Sequence, residues 1–238
     1  VRDQLKGVQQ LQATGRAFAA ILEDGSVVTW GDRDWGGDSS AVRDQLKGVH
    51  QIQATHYAFA AILEDGSVAT WGSASSGGDC SAVQEQLKGV QRIQATAHAF
   101  AAILEDGSVV TWGHVLHGGA TAVRHQLKGV RQIQATAHAF AAILEDGSVV
   151  TWGHAAGGGD SSAVRDQLKA VQEIQGTETA FAAILADGSV VTWGAAGCGG
   201  DSSSVQHDLR FAWSSGACQN AGPYPSYRNP FSRRVETS

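Results

Sequence analysis

The sequence predicts a mainly β protein, an array of five repeats of about 41 residues, each of about three antiparallel strands plus a short connector helix. Three observations carry this. Trp30, Trp71, Trp112, Trp152 and Trp193 recur at spacings of 41, 41, 40 and 41 residues, a fixed period that marks a repeat architecture. The stretch AFAAILEDGSVVTWG at residues 17–31 returns almost letter for letter at Ala58, Ala99, Ala139 and Ala180. Finally, AFAAIL is apolar on both alternating faces, so each copy needs cover on two sides. Sheets stacked face to face around an axis provide that cover, and small alanines suit the crowded inner strands.

Each element follows from its residues. The connector VRDQLKGV stands at Val1 and Val42, and recurs as VQEQLKGV at Val83, VRHQLKGV at Val123 and VRDQLKAV at Val164, with a degraded VQHDLR at Val205. In DSSAVRDQLKG, Asp38 or Ser39 can cap, Val42 and Leu46 fall four apart and Gly48 can terminate. That pattern predicts two turns of helix, or failing that an outer strand. The next segment, VQQLQAT or VHQIQAT, alternates apolar residues with glutamines and suits a strand. AFAAIL and SVVTWG flank Glu-Asp-Gly, and Asp-Gly before a β-branched run signals a hairpin. Ala, Leu and Glu also favour helix, so a short helix stopped by Gly25 is the rival reading of AFAAILEDG. The Val-Val-Thr-Trp arm after the turn favours the hairpin. The tryptophans are read as packing between units, each indole N–H seeking a carbonyl. Gly36-Gly37-Asp38-Ser39-Ser40 lacks the lysine of a phosphate-binding loop and is read as a turn with a helix cap.

The units run near residues 1–41, 42–82, 83–122, 123–163 and 164–204, with a partial sixth connector, giving a repeat domain over residues 1–210. After Arg210 the period fails. Residues 211–238 contain all three prolines and are expected to be a flexible tail on which Phe211 and Trp213 alone have docking potential.

Bulk properties narrow the partner class. Apolar residues make up 42% and charged ones 17%, with a formal charge of −6. The tail holds Arg228, Arg233 and Arg234 against Glu236, so the repeats carry the acidity and repel phosphate backbones; no nucleic-acid partner is expected. No apolar run approaches the roughly 20 residues that cross a bilayer, so no membrane association is expected either. The three cysteines, Cys80, Cys198 and Cys218, form no evident disulfide framework, which points to a reducing, intracellular setting in cytoplasm or nucleus. The chain lacks Met and begins inside a repeat, as a fragment of a longer protein would.

The five copies of D-G-S-V-x-T-W-G, with the AFAAIL run that precedes each, resemble the regulator of chromosome condensation repeat, whose units carry an aromatic or His-containing strand, a D-G turn and a terminal W-G. The resemblance covers residues 1 to about 210. It implies a β-propeller, commonly seven-bladed, and the chain is similar in turn to the repeat domains of large HECT-type ubiquitin ligases. It departs from the family where the usual G-Q-L-G after W-G is replaced by Gly36-Gly37-Asp38-Ser39-Ser40. Its units are also shorter. Five units leave a closed ring, an open arc or part of a larger array as alternatives. Family members that exchange guanine nucleotides use a protruding insertion between blades, and none interrupts the period here.

Comparison of the copies locates the variation. Two windows differ: Gly15-Arg16 with His56-Tyr57, Ala97-His98, Ala137-His138 and Glu178-Thr179, and the four residues after each W-G. In an up-down-up sheet both windows lie at one end and the Glu-Asp-Gly turns at the other. Loops on one rim of a rigid scaffold are the usual place for recognition. A non-catalytic scaffold for protein–protein interaction is therefore expected, with Arg16, Arg33, Trp35, His56, Tyr57, His98, His114, His117 and His138 as contact residues, no catalytic residue, no metal ligand and no cofactor. Nucleotide exchange on a small GTPase and metal binding by converging histidines are the alternatives. The opposite rim gathers Glu23, Asp24, Glu64, Asp65, Glu105, Asp106, Glu145, Asp146 and Asp187, a set read as solvated turns near Lys6, Lys47, Lys88, Lys128 and Lys169.

Overall fold

The computed structural model describes residues 5–120 and 122–205. These contain five three-stranded antiparallel sheets, each with its strands in chain order. Sheet 1 comprises β1 (Val8–Ala13), β2 (Ala17–Leu22) and β3 (Val27–Gly31); sheet 2 comprises β4 (Val49–Ala54), β5 (Ala58–Leu63) and β6 (Val68–Gly72). Sheet 3 comprises β7 (Val90–Ala95), β8 (Ala99–Leu104) and β9 (Val109–Gly113), and sheet 4 comprises β10 (Val130–Ala135), β11 (Ala139–Leu144) and β12 (Val149–Gly153). Sheet 5 comprises β13 (Val171–Gly176), β14 (Ala180–Leu185) and β15 (Val190–Gly194). The expected tail, with Phe211 and Trp213, lies outside the described residues.

The hairpin holds because its turn chemistry is local. In sheet 1 the Gly25 N–H donates to the Leu22 carbonyl (3.0 Å), the Leu22 N–H to the Ser26 carbonyl (2.9 Å), and Gly25 takes φ +74°, a conformation that glycine adopts without strain. Asp24 Oδ1 accepts from the Ser26 N–H (2.9 Å) and hydroxyl (2.6 Å). The register places Phe18 opposite Trp30, their rings stacked at 5.3 Å. The same pair recurs in every sheet.

Each sheet has a large face and a small face. Phe59, Ala61, Trp71 and Ile52 of sheet 2 lie against Ala17, Ala19 and Ile21 of sheet 1, with Leu46 and Val49 closing one end. Sheets 2 and 3, 3 and 4, and 4 and 5 repeat this joint. Phe59, Phe100, Phe140 and Phe181 are buried, each ring contributing about 1.5–3 kcal/mol of apolar transfer. The ring has a seat: a Cβ placed on Gly36 would lie 2.6 Å from Phe59, and Gly77, Gly118 and Gly158 meet Phe100, Phe140 and Phe181 as closely. These glycines also sit at φ +93° to +95°. Beside the ring, the indole N–H of Trp71, Trp112 and Trp193 donates to the carbonyl of Gly36, Gly77 and Gly158, each at 3.0 Å. The expected carbonyl acceptor is therefore present, supplied by the preceding unit's connector. Trp152 packs alike but its N–H has no acceptor among the described residues.

Backbone bonds join the sheets at both rims. At one, the N–H groups of Gly15, His56, Ala97 and Ala137 each donate to the carbonyl of the equivalent residue in the next sheet, all at 2.9 Å. At the other, the N–H groups of Val49, Val90, Val130 and Val171 donate back to Gly25, Gly66, Gly107 and Gly147. The stack does not close on itself among the described residues. Leu11 and Phe18 on the large face of sheet 1 are 41% and 42% exposed, and Ile184 on the small face of sheet 5 is 38% exposed.

The connectors differ from the two-turn helix expected of them. Each forms single 3-10 turns, such as Arg33–Trp35 and Ser40–Val42. Asp38 does accept from the Ser40 N–H at 2.9 Å, but Ser39 makes no cap bond. A segment this short is far below the length at which a helix sustains itself, and Val42 and Leu46 are instead drawn onto the joint between sheets 1 and 2. The turn position even migrates, to Gln84–Gln86 and Arg124–Gln126 in the next two connectors.

Replacing Trp112 by Ala is expected to cost about 3–5 kcal/mol in urea unfolding, and the same change at the less deeply buried Trp30 roughly half as much. Ala170 occupies the position that is glycine in the other connectors and is forced to φ +54°. Ala170→Gly should therefore stabilise by about 0.5–1 kcal/mol in the same assay, relief of left-handed strain outweighing the added freedom of the unfolded chain.

Candidate functional site, the varied rim

Both variable windows lie at one end of every sheet, held by a shared device. Thr14 Oγ1 accepts from the Ala17 N–H (3.0 Å) and donates to the Trp35 carbonyl (3.0 Å), tying the first window to the second. Thr55, Thr96, Thr136 and Thr177 do the same toward the carbonyls of Ser76, His117, Gly157 and Cys198. The Asp32 N–H closes the rim by donating to the Arg16 carbonyl at 2.9 Å. Because all these bonds end on backbone, the clamp leaves the variable side chains free to differ; most of them lie at the rim surface, with Ser76 and Ala97 buried beneath it.

The row is aromatic and imidazole-rich. The Arg16 guanidinium lies 4.7 Å from the Trp35 ring centroid, Trp35 packs on Tyr57 at 4.1 Å, and Tyr57 stacks on His98 at 5.2 Å. His98 meets His117 edge-on at 4.6 Å, and His117 lies 5.0 Å from His138. His56 flanks Tyr57 and His98, and His114 flanks His117. Eight of the nine expected contact residues thus share one surface. Arg33 stands apart, its Nε 3.3 Å from Asp38 on the connector.

Three neighbours of the row were not singled out from the sequence. His154 extends it beyond His138 at 6.3 Å, and Val115 and Leu116, each 63% exposed, project between His114 and His117. The sequence does carry a sign of them: HVLH is the one copy of this window with two large aliphatic residues.

The electrostatics follow from crowding. Burial, then the neighbouring imidazoles His117, His56, His114 and His138, lower the His98 pKa from 6.5 to about 4. Burial likewise lowers that of His117. His117 Nδ1 lies 3.4 Å from the Ala137 carbonyl and 3.2 Å from His138 Nδ1. A carbonyl only accepts, so the contact with Ala137 is a hydrogen bond in the tautomer that carries the His117 proton on Nδ1. At neutral pH His98 and His117 are therefore uncharged, with the Arg16 guanidinium farther along the row. Among the described residues no three His, Cys, Asp or Glu side chains are arranged to hold a metal ion.

The opposite rim is turn chemistry. Hydrogen bonds from Ser26, Ser67, Ser108 and Ser148 lower the pKa of Asp24, Asp65, Asp106 and Asp146, and Lys88 pairs with Glu85 of its own connector at 3.0 Å.

Five stacked three-stranded sheets with W-G strand ends can be set against known proteins. Prp20p from Saccharomyces cerevisiae, in a structure described with its binding to Gsp1p and histones, superposes at TM-score 0.54 with 19% identity over 82% of this chain and 58% of that one. The fold is that of the regulator of chromosome condensation repeat. Yeast RCC1 (Prp20) bound to Kap60 gives TM-score 0.53 and 19% identity over 82% of this chain and 57% of that one. The chain therefore spans just over half the length of these neighbours. No family model and no curated protein sequence matches it, and among the described residues no helix is long and apolar enough to cross a membrane.

His98 is neutral in the fold and readily protonated when unfolded, so between pH 6.5 and about 4 the unfolded state binds more protons. Stability therefore rises with pH through that window and falls on acidification. Thermal midpoints followed by circular dichroism should drop from pH 6.5 to pH 4, and His98→Gln should flatten part of that slope.

Proposed function

We propose that the chain is a non-catalytic module that binds a protein partner through the varied rim. The observation that carries this is the row from Arg16 through Trp35, Tyr57, His98 and His117 to His138, with the exposed Val115 and Leu116 beside it. Aromatic and arginine side chains are the usual anchors of protein interfaces, the aromatic ones because they bury large area at low entropic cost. With His98 and His117 uncharged, docking an apolar surface there costs less desolvation. The neighbours support the reading, since the yeast structures concern binding to Gsp1p, histones and Kap60. An intracellular setting is in keeping with those neighbours. The ubiquitin-ligase role implied by the repeat resemblance is a finer proposal that this reading does not require.

Nucleotide exchange is the second reading, favoured by the fold neighbours alone. It is separated by release of a labelled nucleotide from small GTPases, expected to stay at the uncatalysed rate.

Proteins retained from a cell extract by the immobilised chain should be lost with the double variant Tyr57→Ala and Leu116→Asp, an affinity drop of about tenfold or more. A control, Glu64→Gln with Glu105→Gln on the opposite rim, should retain them. Equal recovery by all three forms would remove the varied rim from consideration.

A further inference from the structure

We propose that His117 and His138 form a two-imidazole site for a divalent transition-metal ion, which braces the joint between sheets 3 and 4. The argument starts from a distance. The Nδ1 atoms of the two rings lie 3.2 Å apart. A tetrahedral ion with ligand bonds of about 2.0–2.1 Å holds two imidazole nitrogens about 3.3 Å from each other, so the pair already stands at chelating separation. One ring comes from each side of the joint: His117 ends the 3-10 turn Val115–His117 that follows sheet 3, and His138 immediately precedes β11 of sheet 4. In the sequence the two are 21 residues apart and in different windows, which is why no metal ligand was expected there.

The scaffold sets this spacing. At the equivalent positions one joint earlier, Ser76 Oγ lies 3.2 Å from His98 Nδ1, and one joint before that Trp35 packs on Tyr57. The same two positions therefore meet across successive joints, and at the third both are histidine. Neither backbone is loose. The His117 N–H donates to the His114 carbonyl at 3.0 Å, the His117 carbonyl accepts from Thr96 Oγ1 at 3.2 Å, and the His138 N–H donates to Thr136 Oγ1 at 3.2 Å. Chelation then orders little beyond the two rings.

The donor set selects the ion. Two imidazoles without a carboxylate suit Zn2+, Ni2+ and Cu2+, whereas Mg2+ and Ca2+ require oxygen ligands. Burial keeps His117 neutral at neutral pH, as a ligand must be. On ligation its proton moves to Nε2, and the 3.4 Å contact of Nδ1 with the Ala137 carbonyl is exchanged for the metal bond. Among the described residues no third His, Cys, Asp or Glu completes a set, so the remaining positions fall to water. The joint spanned is also the one in which Trp152 has no indole acceptor among the described residues, so a brace there supplements a joint with one bond fewer than its neighbours.

Calorimetric titration of the tag-free chain with Ni2+, Cu2+ and Zn2+ should show one ion per chain, bound most tightly for Cu2+, and no uptake of Mg2+. His117→Gln and His138→Gln should each weaken binding at least about tenfold, since disturbing a partner of a ligand alone costs about that much. His154→Gln, a rim histidine outside the pair, should bind like wild type. The electron paramagnetic resonance spectrum of the Cu2+ form should carry hyperfine splitting from two nitrogens. Zn2+ should raise the thermal midpoint of wild type and of His154→Gln, and leave both pair variants where they were. Circular dichroism checks that each variant is folded, and either pair variant reads the site should the other fail to fold. Absence of uptake by wild type, uptake unchanged in both pair variants, or equal loss in His154→Gln would each overturn the inference, the last two as scattered binding by surface histidines. The titration needs no protein partner, so its failure and the failure of the partner-binding reading are told apart.

Discussion

The structure depends on one contact repeated, a phenylalanine ring seated on a glycine that has no Cβ to obstruct it. Any side chain at Gly36 would enter the space of the Phe59 ring, and the left-handed backbone there is one that glycine enters most readily. The same residue's carbonyl satisfies Trp71. Packing and hydrogen bonding thus converge on one residue of the connector, and the connector, though barely structured itself, sets how one sheet lies on the next. The apolar runs that would otherwise expose two greasy faces become interior surface by this means.

Much of this was legible beforehand. The tryptophan period, the Asp-Gly turn and the two-faced AFAAIL run led to stacked hairpins, and the rival helix at Phe18, Phe59 and Phe100 is replaced by strand. The periodicity of the strands is a strong signal because burial on both faces leaves no other arrangement for it. The connector was misjudged because Val42 and Leu46 satisfy a helical spacing while their burial is decided by a neighbouring sheet, a tertiary influence that a local pattern does not contain. Closure was left open by the residues; among the described residues the five sheets do not close on one another, and Phe18 and Ile184 at the two end faces stay partly exposed.

The rim was legible through difference. Copies that agree elsewhere diverge at two windows, and topology brings those windows to one end. What the pattern did not convey was order along the row: that Tyr57 stacks on His98, that His117 bonds His138, or that Arg33 turns away to Asp38. Those depend on side-chain directions between sheets. Val115 and Leu116 escaped attention because apolar residues in a repeat of this kind are first assigned to the core, whereas the window holding them projects past the last pleat.

The threonine clamp has a consequence for how such a surface changes over time. Its bonds end on the Ala17 amide and the Trp35 carbonyl, never on a variable side chain. Every unit is consequently a cassette whose displayed letters can be rewritten one at a time while the frame around them keeps its geometry. Duplication followed by drift at a few displayed positions then changes what the rim presents, with no renegotiation of the scaffold underneath.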